Sequence, residues 1–205
     1  MVEARDAQWG KSEKSFRRAI ELDPNSSLVR VEFVGNLLMP LNRLDEALAQ
    51  MRLAAQNDPL SSEIQSRLTR SLFIAGRFDE AVARCMKPCV TALLIQGRGS
   101  EAIPILEKHS SGDLADPEPT QLGVAYALAG RRQDAERIAS GQWRPISQAQ
   151  IFAALGDKDR AFQALERAIP LGPVRIGRDL TYPEFASLRG DPRLKALRKK
   201  VGLPE

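Results

Sequence analysis

The hexapeptide GRFDEA, residues 76–81, recurs along this chain in four variant copies. These are NRLDEA at 42–47, GRGSEA at 97–102, GRRQDA at 130–135 and GDKDRA at 156–161. Each copy begins with a turn-forming residue, continues with polar or charged residues and ends with alanine. Such recurrence predicts a repeated structural unit.

Each hexapeptide lies between two stretches that we predict to be helical. The upstream stretches are 28–41, 62–75, 88–96, 120–129 and 146–155, and the downstream ones include 79–87 and 158–169. In residues 65–75, for example, Leu68, Leu72 and Ile74 form an apolar stripe with the period of an amphipathic helix. The hexapeptide is therefore predicted to be the turn between paired helices.

The residue types of the hexapeptide fit this turn. Glycine adopts the positive φ that often ends a helix, and Asn42 is the usual substitute for it. The final alanine is expected where two helix backbones cross closely, because a larger side chain would push them apart. Proline then separates the units at Asp23-Pro24, Asp58-Pro59 and Gly172-Pro173, since it cannot continue a helix but fits the first turn of the next.

Together these residues resemble the tetratricopeptide repeat family. The hexapeptide alanines at 47, 81, 102 and 135 include intervals of 34 and 33 residues, close to the family's 34-residue period. The unit ending at Pro59 provides the small and apolar positions of the family pattern. These are Gly35, Leu38, Ala47, Met51 and Ala54. Later units repeat the pattern with Leu122, Gly123, Tyr126, Gly130 and Ala135, and then with Phe152, Gly156, Ala161, Leu165 and Ala168.

The resemblance implies an all-α fold, a right-handed superhelical solenoid of antiparallel helix pairs with a C-terminal capping helix. We expect one solenoid over residues 1–205, with a partial first repeat at 1–24 and about five repeats over 25–173. A loop is expected near 109–119 and a capping segment at 174–205.

The stretch YPEFASLRGDPRLKALRKKVGLP, residues 182–204, is similar to a closing segment found after such repeats in bacterial multidomain proteins. In those proteins the repeats follow a winged-helix, cyclase or kinase module. The half repeat at the start also leads us to expect that the chain was excised from a longer bacterial regulatory protein.

Composition sets further expectations. The 205 residues include 43% apolar and 27% charged residues, an ordinary globular mixture, and the net charge of +4 is spread along the chain. No apolar run reaches the length of a membrane span and no signal pattern opens the chain. We therefore expect a cytoplasmic protein that does not contact membranes.

The residues that carry chemistry do not form a recognisable catalytic or metal site. Cys85 and Cys89 have neither the four ligands of a zinc site nor the spacing of a redox pair, so we expect structural, buried or half-buried cysteines. His109, the single histidine, stands apart from any nucleophile motif. We expect no enzyme activity, no cofactor and no bound metal.

The resemblance implies a binding surface on the concave face of the solenoid, which would bind a protein or peptide. The family's inward positions correspond to Glu32, Asn36, Met39, Ser66, Arg70, Phe73, Ile74, Lys87, Thr91, Leu94, Thr120, Val124 and Gln150. Asn36 and Arg70 would hydrogen-bond a partner, and Phe73 would anchor an apolar side chain. Glu32 stands where a carboxylate-binding subgroup has lysine, which argues against chaperone-tail binding.

Two other partners remain open. The cations between Arg193 and Lys200 could contact phosphate in a nucleic-acid-associated protein, although five cations without interleaved aromatics favour only weak, salt-sensitive contact. The half repeat, with Trp9, Phe16 and Ile20, could pair with a second copy of the chain.

Overall fold

The computed structural model describes residues 8–85, 89–109, 117–142 and 144–204. Helices account for 78% of this part of the chain, and it contains no strand. The prediction of an all-α fold is therefore confirmed. None of the described helices combines the length and the apolar composition needed to cross a membrane.

We number the described α-helices in chain order. They are α1 (Trp9–Leu22), α2 (Ser27–Phe33), α3 (Leu44–Asn57), α4 (Ser62–Ile74), α5 (Phe78–Arg84), α6 (Val90–Ile95), α7 (Gly99–His109), α8 (Pro117–Leu128), α9 (Arg132–Gly141), α10 (Pro145–Ala154), α11 (Lys158–Ala168), α12 (Gly172–Asp179) and α13 (Pro192–Lys200). A π-helical segment, Val34–Leu38, extends α2, and 3₁₀ segments occupy Ile169–Leu171 and Pro183–Leu188.

Each hexapeptide ends one helix through the same backbone hydrogen bonds. In the copy at 76–81, the Gly76 N–H donates to the Phe73 carbonyl at 3.2 Å and the Arg77 N–H donates to the Leu72 carbonyl at 2.9 Å. These two bonds define a Schellman motif, which requires a left-handed residue after the helix. The first position has φ of 59° at Asn42 and between 73° and 76° at the four glycines, so the turn prediction is confirmed.

The same hexapeptide also starts the next helix. The Ala81 N–H donates to the Arg77 carbonyl at 3.0 Å, so the second position already accepts the first helical hydrogen bond. The closing alanine therefore lies in the first turn of the new helix. All five alanines are at most 1% exposed, which confirms that they occupy close contacts: Ala47, Ala81, Ala102, Ala135 and Ala161.

A salt bridge joins the second and fifth positions of every copy. Arginine holds the second position and a carboxylate the fifth in four of them: Arg43–Glu46, Arg77–Glu80, Arg98–Glu101 and Arg131–Asp134. In the fifth copy the charges are exchanged, and Asp157 pairs with Arg160 at 2.7 Å. Asp157 also caps α11, because its side chain accepts from the Arg160 N–H at 3.0 Å.

The chain divides into two compact units. Unit 1 contains the described part of Met1–Arg84, with Leu171–Tyr182 and Lys195–Glu205. Helices α1 to α5 pack in sequence, each on the next, and α12 packs on the π-helical segment. Helix α12 also lies close to the turn that follows this segment, since a Cβ added at Gly177 would lie 2.8 Å from the Pro40 Cα.

Unit 2 contains the described part of Cys85–Pro170, with Pro183–Leu194. Its consecutive helices also pack pairwise, and α8 additionally packs on α10, the helix two further along the chain. Gly123 on α8 makes that contact close, because a Cβ there would lie 2.6 Å from the Ile151 Cδ1. Neighbouring hairpins in unit 2 therefore share one continuous core.

Two local features differ from the sequence expectations. Helix α8 begins at Pro117, so the loop expected near 109–119 is wrong at 117–119, while 110–116 lie outside the described residues. Cys85 and Cys89 are half-buried and buried as expected, but they also form a disulfide, which the sequence did not predict.

Candidate protein-binding surface

Seven of the predicted binding residues lie in unit 1, between α2 and α4. Three of them are buried: Met39, Phe73 and Ile74 are 7%, 4% and 6% exposed. A partner cannot reach Phe73 without opening the core, so the structure gives this ring a packing role in place of the predicted anchor. The apolar part of the predicted surface is therefore not accessible in unit 1.

The polar residues of the same prediction remain accessible. Ser66 and Arg70 on α4 are exposed, and Glu32 and Asn36 are half-buried. The Asn36 Nδ2 donates to the Glu32 Oε2 at 2.6 Å, so a partner that binds Asn36 has to share its amide with this carboxylate.

The segment 171–182 lies beside these polar residues, within unit 1. The Arg70 guanidinium lies 5.5 Å from the centroid of the Tyr182 ring, and its Nη1 is 3.5 Å from the Tyr182 hydroxyl. A Cβ added at Gly35 would lie 3.9 Å from the Arg178 Nη1. We call Glu32, Asn36, Ser66, Arg70 and Tyr182 the Arg70 surface.

A pocket of about 420 Å³ opens where the π-helical segment meets α12. It is lined by Asn36, Leu171, Gly172, Pro173, Val174, Arg175 and Arg178, and we call it the Arg178 pocket. Leu171 is 52% exposed. The pocket therefore combines an accessible apolar side chain with positive charge.

One buried carboxylate serves both arginines of the Arg178 pocket. Asp179 is 1% exposed, and its Oδ2 accepts from the Arg175 Nε at 2.7 Å. Its Oδ1 lies 3.7 Å from the Arg178 Nε and accepts no hydrogen bond among the described residues. Burial works against the charge of Arg175, but the hydrogen bond and charge of Asp179 outweigh it and raise the pKa of Arg175.

The sequence did not identify Arg175, Arg178 or Tyr182 as surface residues. The spacing of Arg175 and Asp179 is that of a salt bridge along a helix, which was the one available signal. Their proximity to Asn36 and Arg70 follows from the packing of α12 on a helix far earlier in the chain, and no local pattern encodes that contact.

In unit 2 the predicted binding residues again divide by burial. Leu94 and Val124 belong to the hydrophobic core around Ala125 and Ile151. Thr91, Thr120 and Gln150 are half-buried, and Lys87 lies outside the described residues. Among the described residues of unit 2, the predicted face thus keeps only uncharged polar side chains within reach of a partner.

The cations near the C-terminus are partly taken up by the chain itself. The Arg193 guanidinium pairs with Asp159 at 2.6 Å and with Asp191 at 2.9 Å, and it lies 4.3 Å from the centroid of the Phe162 ring. The hydrogen bonds to Asp191 and Asp159 raise the pKa of Arg193, and the hydrogen bonds from Arg193 lower that of Asp191 to about 2. Burial lowers the pKa of Arg198, so part of this helix faces protein.

The half repeat is integrated into unit 1. Phe16 is buried, with its ring centroid 5.3 Å from that of Phe33, and the Trp9 Nε1 donates to the Gly202 carbonyl at 3.2 Å. The hypothesis of pairing with a second copy now depends on the half-buried Trp9 and Ile20, since Phe16 is already covered.

Among the described residues, no group of three or more His, Cys, Asp or Glu side chains is arranged to hold a metal ion. The single histidine, His109, ends α7. The sequence matches no protein-family model and none of the curated proteins with which it was compared.

Proposed function

We propose that this chain is a helical-repeat protein of tetratricopeptide type that binds other proteins and catalyses no reaction. The observation that carries the proposal is the fivefold recurrence of one helix–turn–helix unit. Each copy has a left-handed first residue, a salt bridge between its second and fifth positions and a buried alanine. Such units, stacked into a right-handed superhelix, expose extended surfaces that commonly bind peptides.

The partner is a peptide or a domain, and the chain acts as the interaction arm of a larger regulatory protein. We place the partner on the Arg70 surface, because Ser66 and Arg70 are exposed there and Asn36 is half-buried. The burial of Phe73 makes polar recognition the basis of binding at this surface. Since Arg193 is already paired with two carboxylates, we do not extend the proposal to nucleic acid.

Selection from a random peptide library displayed on phage, with the full chain as the target, tests this proposal. We expect enriched peptides whose affinity, measured by fluorescence anisotropy, falls at least tenfold in Arg70→Glu. The matched control is Arg67→Glu, also on α4, whose arginine is exposed and pairs with Glu63 at 2.7 Å. We expect the control to change the affinity less than twofold.

Two results would contradict the proposal. The first is a selection that enriches no peptide against the chain. The second is a set of enriched peptides that bind both variants as tightly as the original chain, which would remove the Arg70 surface from the binding site.

A further inference from the structure

We infer that the Arg178 pocket receives a carboxylate from the partner, and that the partner is an acidic peptide segment with an apolar residue beside the acid. This inference rests on the proposed function, because it names the chemistry of that same partner at a pocket that shares Asn36 with the Arg70 surface.

The charges of the pocket provide the first argument. Two arginines line it, and Asp179 is the one carboxylate among the described residues that pairs with either of them. Asp179 is 1% exposed, so it lies behind the arginines and does not occupy the opening. One positive charge is therefore left without a balancing carboxylate inside the pocket.

The geometry of the donors provides the second argument. The Arg175 Nε donates to Asp179, and this hydrogen bond orients the guanidinium. The Arg175 side chain is about half exposed, so its terminal nitrogens are accessible to a ligand. Arg178 is held only loosely, at 3.7 Å from the same carboxylate. Planar guanidinium groups match a carboxylate through paired N–H donors, and fixing one of them beforehand lowers the entropic cost of binding.

The surroundings of the pocket limit what can bind. Asn36 lines the pocket and donates to the Glu32 carboxylate, so a ligand with a dense cluster of negative charges would meet repulsion near Asn36. Leu171, Pro173 and Val174 form an apolar wall, and Leu171 is about half exposed. A single acid next to an apolar side chain therefore fits better than a polyanion.

Two synthetic peptides test the inference on the full chain. The probe is acetyl-Ser-Leu-Glu-Leu-Ser-amide, and the control replaces its glutamate by glutamine, which removes the charge and keeps the shape. Titration followed by NMR of the arginine Nε–H signals reports binding at each arginine. We expect saturable shifts at Arg175 and Arg178 with the glutamate peptide, and at least tenfold weaker binding of the glutamine peptide.

A variant of the chain provides the second comparison. Arg178→Gln should lower the affinity for the glutamate peptide at least fivefold. Arg67 is exposed and lies outside the pocket, so Arg67→Gln should change that affinity less than twofold. Because the peptide pair needs no altered protein, the inference stays testable even if Arg178→Gln fails to fold.

The outcomes separate the inference from the proposed function. Equal binding of the two peptides, or no saturable shift with either, overturns the carboxylate assignment. If the phage selection still yields peptides that depend on Arg70, the proposed function stands without it. A selection that yields no peptides overturns the proposed function and, with it, this inference.

Discussion

Glu13 tests how the first helix is attached to the first complete hairpin. Its carboxylate accepts hydrogen bonds from Arg43 in the turn before α3, at 2.8 and 3.0 Å, and from Arg17 on its own helix, at 2.7 and 3.0 Å. Arg17 and Arg43 also pair with Glu46, so four side chains form a closed network. Replacing Glu13 by glutamine removes one of the two negative charges of this network.

The size of the effect follows from the pKa of Glu13. The hydrogen bonds from Arg43 lower this pKa most and those from Arg17 add to them, so it lies at about 2 instead of 4.5 although burial raises it. This difference corresponds to about 3 kcal/mol of preference for the charged form in the folded chain. The side chain is 26% exposed, so water and salt screen part of that energy. We expect Glu13→Gln to lower the free energy of unfolding by about 1–2 kcal/mol at neutral pH.

The pH dependence has a defined sign. A carboxyl group whose pKa is lowered in the folded state contributes its full stabilisation above the unfolded value, and loses it as the pH falls through the folded value. For Glu13 this window runs from pH 4.5 down to about pH 2. The difference between the original chain and Glu13→Gln should therefore be constant above pH 5 and shrink to a small fraction of that value by about pH 2.

Urea unfolding followed by circular dichroism measures the free energy, and hydrogen exchange of the α1 amides shows whether the first helix loosens. The control is Glu63→Gln, which removes an acid with the same i,i+4 arginine spacing but with no partner on another helix among the described contacts. Equal destabilisation by the two variants would refute the argument, because it would assign the effect to a contact within one helix. A difference at pH 2 as large as that above pH 5 would refute it as well.

Three further predictions concern the repeated turn. Ala161→Leu should lower the free energy of unfolding, measured with urea, by about 1–3 kcal/mol, because the buried site has no room for a larger side chain. The control Ala49→Leu, at an exposed position, should leave this free energy nearly unchanged. Gly130→Ala should lower the free energy of unfolding by about 1–2 kcal/mol. The cost comes from the left-handed backbone alone, because nothing lies within 4 Å of the added Cβ. An unchanged Tm in scanning calorimetry would contradict this prediction. Reversing the charge of Arg131 or Asp134 singly, to Asp and Arg respectively, should lower Tm, and the double exchange should recover most of that loss.

The turns were predictable because every interaction that forms them is local. The left-handed residue, the hydrogen bond from the second position to the carbonyl five residues earlier and the buried alanine all depend on residues within one hexapeptide and its flanking helices. Glycine, asparagine and alanine are chosen for backbone and steric reasons that do not require knowledge of the tertiary structure.

The burial of Phe73 could not be predicted in the same way. The sequence shows an apolar stripe through Leu68 and Leu72, which marks one buried side of α4. In the structure the four successive residues Ser71 to Ile74 are all buried. Because successive residues point about 100° apart around a helix, such a run means that the end of α4 is enclosed on every side. That enclosure depends on neighbours, which a helical period does not reveal.

The fifth hexapeptide shows which property of the turn is retained when its amino-acid sequence changes. GDKDRA differs from GRRQDA in the sign of the charge at the second and fifth positions, yet each copy forms its salt bridge. In both copies the arginine also lies over the aromatic ring four residues before the glycine. Arg131 is 4.2 Å from the Tyr126 centroid, and Arg160 is 4.6 Å from the Phe152 centroid. The guanidinium reaches that ring from either position, because the second and fifth residues both flank the end of the preceding helix. The turn therefore requires one arginine and one carboxylate in either order, and the double exchange at Arg131 and Asp134 would reproduce in the fourth copy the arrangement found in the fifth.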